Sequence, residues 1–184
     1  MYHIPNDKRA QKSAEKLTMG LFKMMERKAF VDITVKDITE ISEIGRATFY
    51  RLFDNIVDIL YWNCEKILLD TLENAPNDEE NNFHEFFVYF AEKWVKNEKL
   101  MCALIKASRT DILFDVHMKH INKWSNLLLS GDALKEQDLE YIARLLAAIL
   151  PIAYQDAVKY PVNDIEYYYI RLKKNIRYFD KLLS

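Results

Sequence analysis

Ala14, Leu17, Leu21 and Met24 recur at steps of three and four, which predicts an amphipathic helix over about residues 7–28. Gly20 lies inside it. A glycine there costs up to ~1 kcal/mol relative to alanine, so a close neighbour is expected at that point. The run Ile33-Thr34-Val35-Lys36-Asp37-Ile38 reads as a helix start. Thr34 can cap it, Asp37 can complete a capping box, and Ile33 with Ile38 forms a hydrophobic staple. Ser42-Glu43-Ile44-Gly45 interrupts the pattern, so this second helix is short. A third runs over about 46–53, with Gly45 as its N-cap and Ile44 and Phe49 as its staple. Asn55 can cap a fourth, with Asp58 at its third position, continuing to about Leu72.

The stretch 74–82 is a loop by composition. Further helices are expected at about 83–97, 98–107, 110–129, 136–159 and 163–183, with breaks at Asn97-Glu98, Gly131-Asp132 and Pro161. Pro151 should kink the 136–159 helix without ending it, because the periodicity resumes beyond it. The expected architecture is all-α, with about nine helices: a three-helix head over 1–54 and a helical body over 55–184.

Composition supports this. Three glycines and four prolines stand against roughly 22 expected at average usage, too few for a turn-rich β or α/β fold. Neither G-x-G-x-x-G nor G-x-x-x-x-G-K-[ST] occurs, which removes the sequence support for a dinucleotide or P-loop site. Net charge is −2, so any nucleic-acid footprint must be local. Residues 1–55 carry ten Lys/Arg against eight Asp/Glu, and the remainder carries sixteen against twenty. Cys64 and Cys102 are too few for a disulfide framework or a four-thiolate zinc site. The longest uncharged stretch of interest, Leu145 to Gln155, falls short of the ~20 residues of a membrane span. The first residues show no apolar signal core, and the expected location is cytoplasmic.

Two short helices joined by a four-residue turn, with a long helix on each side, form a helix-turn-helix, whose second helix lies in the DNA major groove. With Phe49 pointing inward, Leu52 and Phe53 follow it at 100° per residue. Ala47, Tyr50 and Arg51 then point outward, with Arg46 at the flank. At these residues the chain resembles the TetR family of transcriptional regulators. Thr34-Val35-Lys36-Asp37-Ile38 is similar to the family's lead-in to the helix-turn-helix. Ile44-Gly45-Arg46-Ala47-Thr48-Phe49-Tyr50-Arg51-Leu52-Phe53 is similar to its recognition helix. The motif covers about residues 8–60; over 61–184 only length and helical pattern agree.

The resemblance implies phosphate contacts from Thr34, Thr48 and Tyr50, base or groove contacts from Lys36, Arg46 and Ala47, and a further backbone contact from Arg51. The implied partner is a palindromic DNA operator bound by a homodimer. Three positions depart from the family pattern. Ile56 stands where a phosphate-holding lysine is usual, Leu52 where a His or Tyr is common, and Asp54 where a lysine or other polar residue is frequent, its carboxylate expected on the DNA side. Fewer cations and an added anion weaken the electrostatic part of DNA affinity. The amides at Asn55 remain as anion donors.

In the body, the resemblance implies a small-molecule effector pocket, for which Trp62, Phe90, Trp94, Met101, Cys102 and His117 are candidates. Such residues equally fill an ordinary core. His117 and His120 read as surface histidines, since too few ligands converge for a metal. No nucleophile and base, or pair of carboxylates, has diagnostic spacing, so the chain is not expected to be an enzyme, and no cofactor is expected. Leu145 and Ile149 in the 136–159 helix, and Leu172, Ile176 and Phe179 in the last one, are expected in a four-helix dimer interface. The alternative is that these stripes close the monomer's own core. The expected function is a ligand-responsive transcriptional regulator, most often a repressor in this family. The alternative is a TetR-like ligand- or protein-binding module whose head has lost DNA affinity.

Overall fold

The computed structural model describes residues 1–75, 83–123 and 136–159, with Tyr167, Ile170 and Lys174 beyond them. Among the described residues the chain forms α-helices and one 3-10 turn, with no strand. The helices are α1 (Lys8–Met25), α2 (Val35–Ser42), α3 (Arg46–Leu52), α4 (Val57–Glu73), α5 (Phe83–Val95), α6 (Glu98–Lys106), α7 (Asp111–Lys119) and α8 (Glu136–Lys159). The 3-10 turn, Phe30–Asp32, lies between α1 and α2 and was not signalled by the periodicity. The expected helix at 110–129 is interrupted: α7 stops at Lys119, His120 forms a turn, residues 121–123 are helical again, and 124–129 lie outside the described residues. Pro151 stays inside α8, as expected. The breaks at Gly131 and Pro161 fall outside the described residues.

The helix starts follow the side chains that can satisfy orphan amides. Asp7 accepts from the amides of Arg9 (2.8 Å) and Ala10 (3.0 Å) at α1. Thr34 and Asp37 form the expected capping box of α2. At α4 the amide of Asp58 donates to Asn55 Oδ1 (3.2 Å), and Asp58 in turn accepts from Asn55 N (3.2 Å) and Asp54 N (2.9 Å).

The chain divides into two compact units. One comprises Met1–Leu68 with Lys99–Val116, the other Leu69–Glu98 with His117–Ser184. In the first, α1, α2 and α3 pack on one another. Leu17, Leu21, Ile38, Phe49, Leu52 and Phe53 are wholly buried there. A Cβ at Gly20 would lie 3.1 Å from the Ile38 carbonyl oxygen and 3.1 Å from Ile41 Cγ2, so α2 passes against α1 at the one residue without a side chain. The first part of α4 joins this core through Ile59, Leu60 and Cys64. It is tied to α1 by Asn63 Nδ2, which donates to Thr18 Oγ1 (2.9 Å), and by the Lys66–Glu15 pair (2.7 Å). Tyr61 donates its hydroxyl to Asp115 on α7. Burial first, and then that carboxylate, push the phenol up to about 12.

In the second unit α5 packs on α8. Ala143, Ala147 and Leu150 form the buried side of α8, while Tyr141, Leu145 and Ile152 stand on its exposed side.

Candidate nucleic-acid interface

Three residues, 43–45, connect α2 to α3. Glu43 ends α2 in the left-handed region (φ 56°), and the Ile44 amide returns to the Thr39 carbonyl (3.1 Å). This is the C-cap geometry usually given to glycine. Gly45 then opens α3, its carbonyl accepting from Thr48 N (2.9 Å) and Phe49 N (3.1 Å).

The seven residues of α3 have two unlike faces. Phe49 and Leu52 are buried, and the ring of Phe53, which follows the helix, lies 5.9 Å from that of Phe49. Arg46, Ala47, Tyr50 and Arg51 are exposed and Thr48 is half-buried. Tyr50 keeps its ring edge-on to Phe49, 5.3 Å between centroids, and is 58% exposed. That contact fixes the ring direction and leaves the hydroxyl outside. The guanidinium groups of Arg46 and Arg51 have no ion-pair or hydrogen-bond partner among the described residues. The structure therefore places these five residues together on one short helix.

Thr34 and Lys36 lie at the N-terminal end of α2. Lys36 is exposed, 3.7 Å from Glu40. The Thr34 hydroxyl is committed: it donates to Asp37 Oδ2 (2.6 Å) and accepts from the Asp37 amide (3.2 Å). A phosphate, which only accepts, would have to take that proton from Asp37. Lys28 donates to the same Asp37 oxygen at 2.6 Å. Lys28 first, and then Thr34, hold the Asp37 carboxyl well below the usual carboxylate range.

Asp54 is not a bare anion on the outer side of the head. The N-terminal ammonium of Met1 donates to its Oδ2 (2.8 Å), and His3 Nε2 lies 2.9 Å from its Oδ1. These partners, the ammonium first, lower the Asp54 carboxyl from its ordinary value. The backbone holds the segment in place: Tyr2 bridges Phe53, and His3 N donates to the Leu52 carbonyl (2.8 Å). The amides expected to serve an anion at the start of α4 are partly used as well, since Asp58 takes those of Asp54 and Asn55. Ile56 is half-buried, with no cation in its place. No sequence periodicity could have indicated this strap, because it joins residues 51 and 53 positions apart.

The residues expected in an effector pocket fall in both units. Trp62, Met101 and Cys102 belong to the first. Trp62 packs edge-on to Phe53 (6.2 Å) with the Lys66 ammonium 5.3 Å from its ring centroid. Phe90, Trp94 and His117 belong to the second and come together there, with ring centroids 5.5–6.2 Å apart. His117 is wholly buried, which corrects its reading as a surface histidine. Trp94 Nε1 is buried with no hydrogen-bond partner among the described residues. Among those residues no three His, Cys, Asp or Glu are grouped to hold a metal, and no helix is long and apolar enough to cross a membrane. Burial pushes the Cys64 thiol up, away from the reactive thiolate.

Of the expected interface residues, Leu145 is exposed and Ile149 is half-buried. Leu172, Ile176 and Phe179 lie outside the described residues.

No family model matches the chain, and no curated protein does. Among solved structures, the crystal structure of Lin0861 from Listeria innocua is similar, with a TM-score of 0.77 and 19% identity over 96% of each chain. At that identity the likeness is one of fold, and it extends over nearly the full length of both chains.

Proposed function

We propose that this chain is a DNA-binding transcriptional regulator of the TetR type, acting as a homodimer on a two-fold duplex site. The observation that carries this reading is the outer face of α3. Arg46, Ala47, Tyr50 and Arg51 stand exposed on a helix whose other face is locked into a closed core. Two uncommitted guanidinium groups, a phenol and a small methyl suit phosphates, base edges and a thymine methyl. The exposed apolar side of α8 supports a second copy of the chain as the dimer partner, which would present a second α3 to a second half-site. The buried Phe90, Trp94 and His117 group supports an effector site in the body. A ligand with an acceptor there would satisfy Trp94 Nε1.

The test is binding of the purified chain to duplexes, beginning with the DNA upstream of its own gene. Arg46→Ala should lose about 1–3 kcal/mol and relax base preference at one position per half-site. Arg51→Ala should weaken all sequences alike. Ile56 favours the second reading, a ligand- or protein-binding module. A folded dimer that selects no duplex at low salt would establish that reading instead.

A further inference from the structure

The first unit carries a cleft of about 420 Å³ that the operator reading leaves without a role. Its walls are residues 25–30, the C-terminal end of α1 and the turn after it, together with Lys106 at the end of α6. That volume falls within the ~300–1,000 Å³ of small-molecule sites. Met25, Ala29 and Phe30 supply apolar surface, while Arg27, Lys28 and Lys106 set three cations against the single acid Glu26. Two helix C-termini meet here, and their carbonyl ends favour nearby cations. The cleft nevertheless keeps donors to spare. Neither the Arg27 guanidinium nor the Lys106 ammonium has a hydrogen-bond or ion-pair partner among the described residues.

Lys28 is different, because it is already engaged. Its ammonium shares Asp37 Oδ2 with the amide of Thr34 (2.7 Å) and the hydroxyl of Thr34 (2.6 Å). One wall of the cleft is thus bonded to the cap of α2. An anion seated between Arg27 and Lys106 would compete with Asp37 for Lys28.

We propose that this cleft binds a small organic anion, a carboxylate or a phosphate monoester on an apolar body, and that binding draws Lys28 from Asp37 and loosens the start of α2. A concave site with both cationic and apolar walls suits such a molecule better than the convex backbone of a duplex. The consequence for DNA rests on the proposed operator binding; the site itself does not.

The experiment titrates the full chain with phenyl phosphate, benzoate and inorganic phosphate, with benzyl alcohol as the neutral control. Heat of binding and amide NMR signals are followed together. Both aryl anions should saturate, inorganic phosphate should bind more weakly for want of an apolar body, and benzyl alcohol should not bind. Arg27→Gln and Lys106→Gln, both at exposed side chains, should each weaken the aryl anions about tenfold while far-UV circular dichroism stays unchanged. The Thr34 and Asp37 amide signals should shift along the same saturation curve.

No saturable binding at millimolar anion, equal binding of benzyl alcohol, or unchanged affinity in the double variant would overturn the site. Saturable binding with Thr34 and Asp37 signals unmoved would overturn the link to α2. In the DNA arm, phenyl phosphate near the wild-type half-saturation point should lower duplex affinity of the wild type clearly more than that of Lys106→Gln. A wild type that binds the anion but no duplex would sink the operator reading and support the site alone.

Discussion

Among the described residues α3 and α8 each carry an exposed face, and the two faces differ in kind. On α3 the open face is Arg46, Ala47, Tyr50 and Arg51. On α8 it includes Tyr141 (64% exposed), Leu145 (44%) and Ile152 (66%), which fall on one stripe at helical spacing. Both helices are anchored through the opposite face, Phe49 and Leu52 on α3 and Ala143, Ala147 and Leu150 on α8. An anchored helix with a charged open face gains from a polyanion and little from another apolar surface. An anchored helix with an apolar open face gains from being covered, because each Å² removed from water contributes about 25 cal/mol. The chemistry of the uncovered side, more than the fold beneath it, separates the proposed DNA site from the proposed site for a second copy.

The largest effect should come from spoiling the apolar face. Ile152→Asp would put a charge into the proposed dimer seam twice by symmetry, and an unpaired buried charge costs about 3–5 kcal/mol. Sedimentation should show a dimer for the wild type and a monomer for the variant, with helix content intact because Ile152 lies outside the monomer core. A wild type that sediments as a monomer would leave the α8 stripe without its assigned partner. Next comes the anchoring of the head that presents α3. Gly20→Leu must push side-chain atoms into the Ile38 carbonyl and Ser42. Urea unfolding should register a loss of about 1–3 kcal/mol.

These predictions rest on features of unequal visibility in the sequence. Local chemistry was legible. Thr34 with Asp37 and Asn55 with Asp58 form their boxes, Gly20 marks a close approach, and Pro151 sits inside a continuing helix. Each of these depends on residues a few positions apart, or on the absence of a side chain at one of them. Pairings over long separations were not legible. Asp54 reads from sequence as a bare anion, yet the Met1 ammonium and His3 pair with it while its side chain stays exposed. His117 reads as a surface residue because its side chain is polar, yet Phe90 and Trp94 enclose it. The outward set on α3 was legible because burying Phe49 and Leu52 leaves the other positions of so short a helix facing outward.

Smaller effects sharpen the polar face. Ile56→Lys should steepen the dependence of log affinity on log salt by about one unit if residue 56 reaches a phosphate. An unchanged slope in a salt titration would place residue 56 away from the backbone. The smallest expected change is at the turn. Glu43 holds a left-handed backbone (φ 56°) that glycine adopts without strain. Glu43→Gly should stabilise the head by roughly 0.5–1 kcal/mol in urea unfolding, in proportion to the relief of that strain.

The open face of α3 is proposed to read DNA. The most direct test is selection of duplexes from a random pool by the folded chain at low salt, followed by a salt titration of the selected site. The account predicts enrichment of a two-fold site, affinity that falls steeply with salt, and loss of enrichment when Arg46 and Arg51 are both changed to alanine. A wild type that enriches no sequence, or a double variant that enriches the same site as strongly, would contradict it.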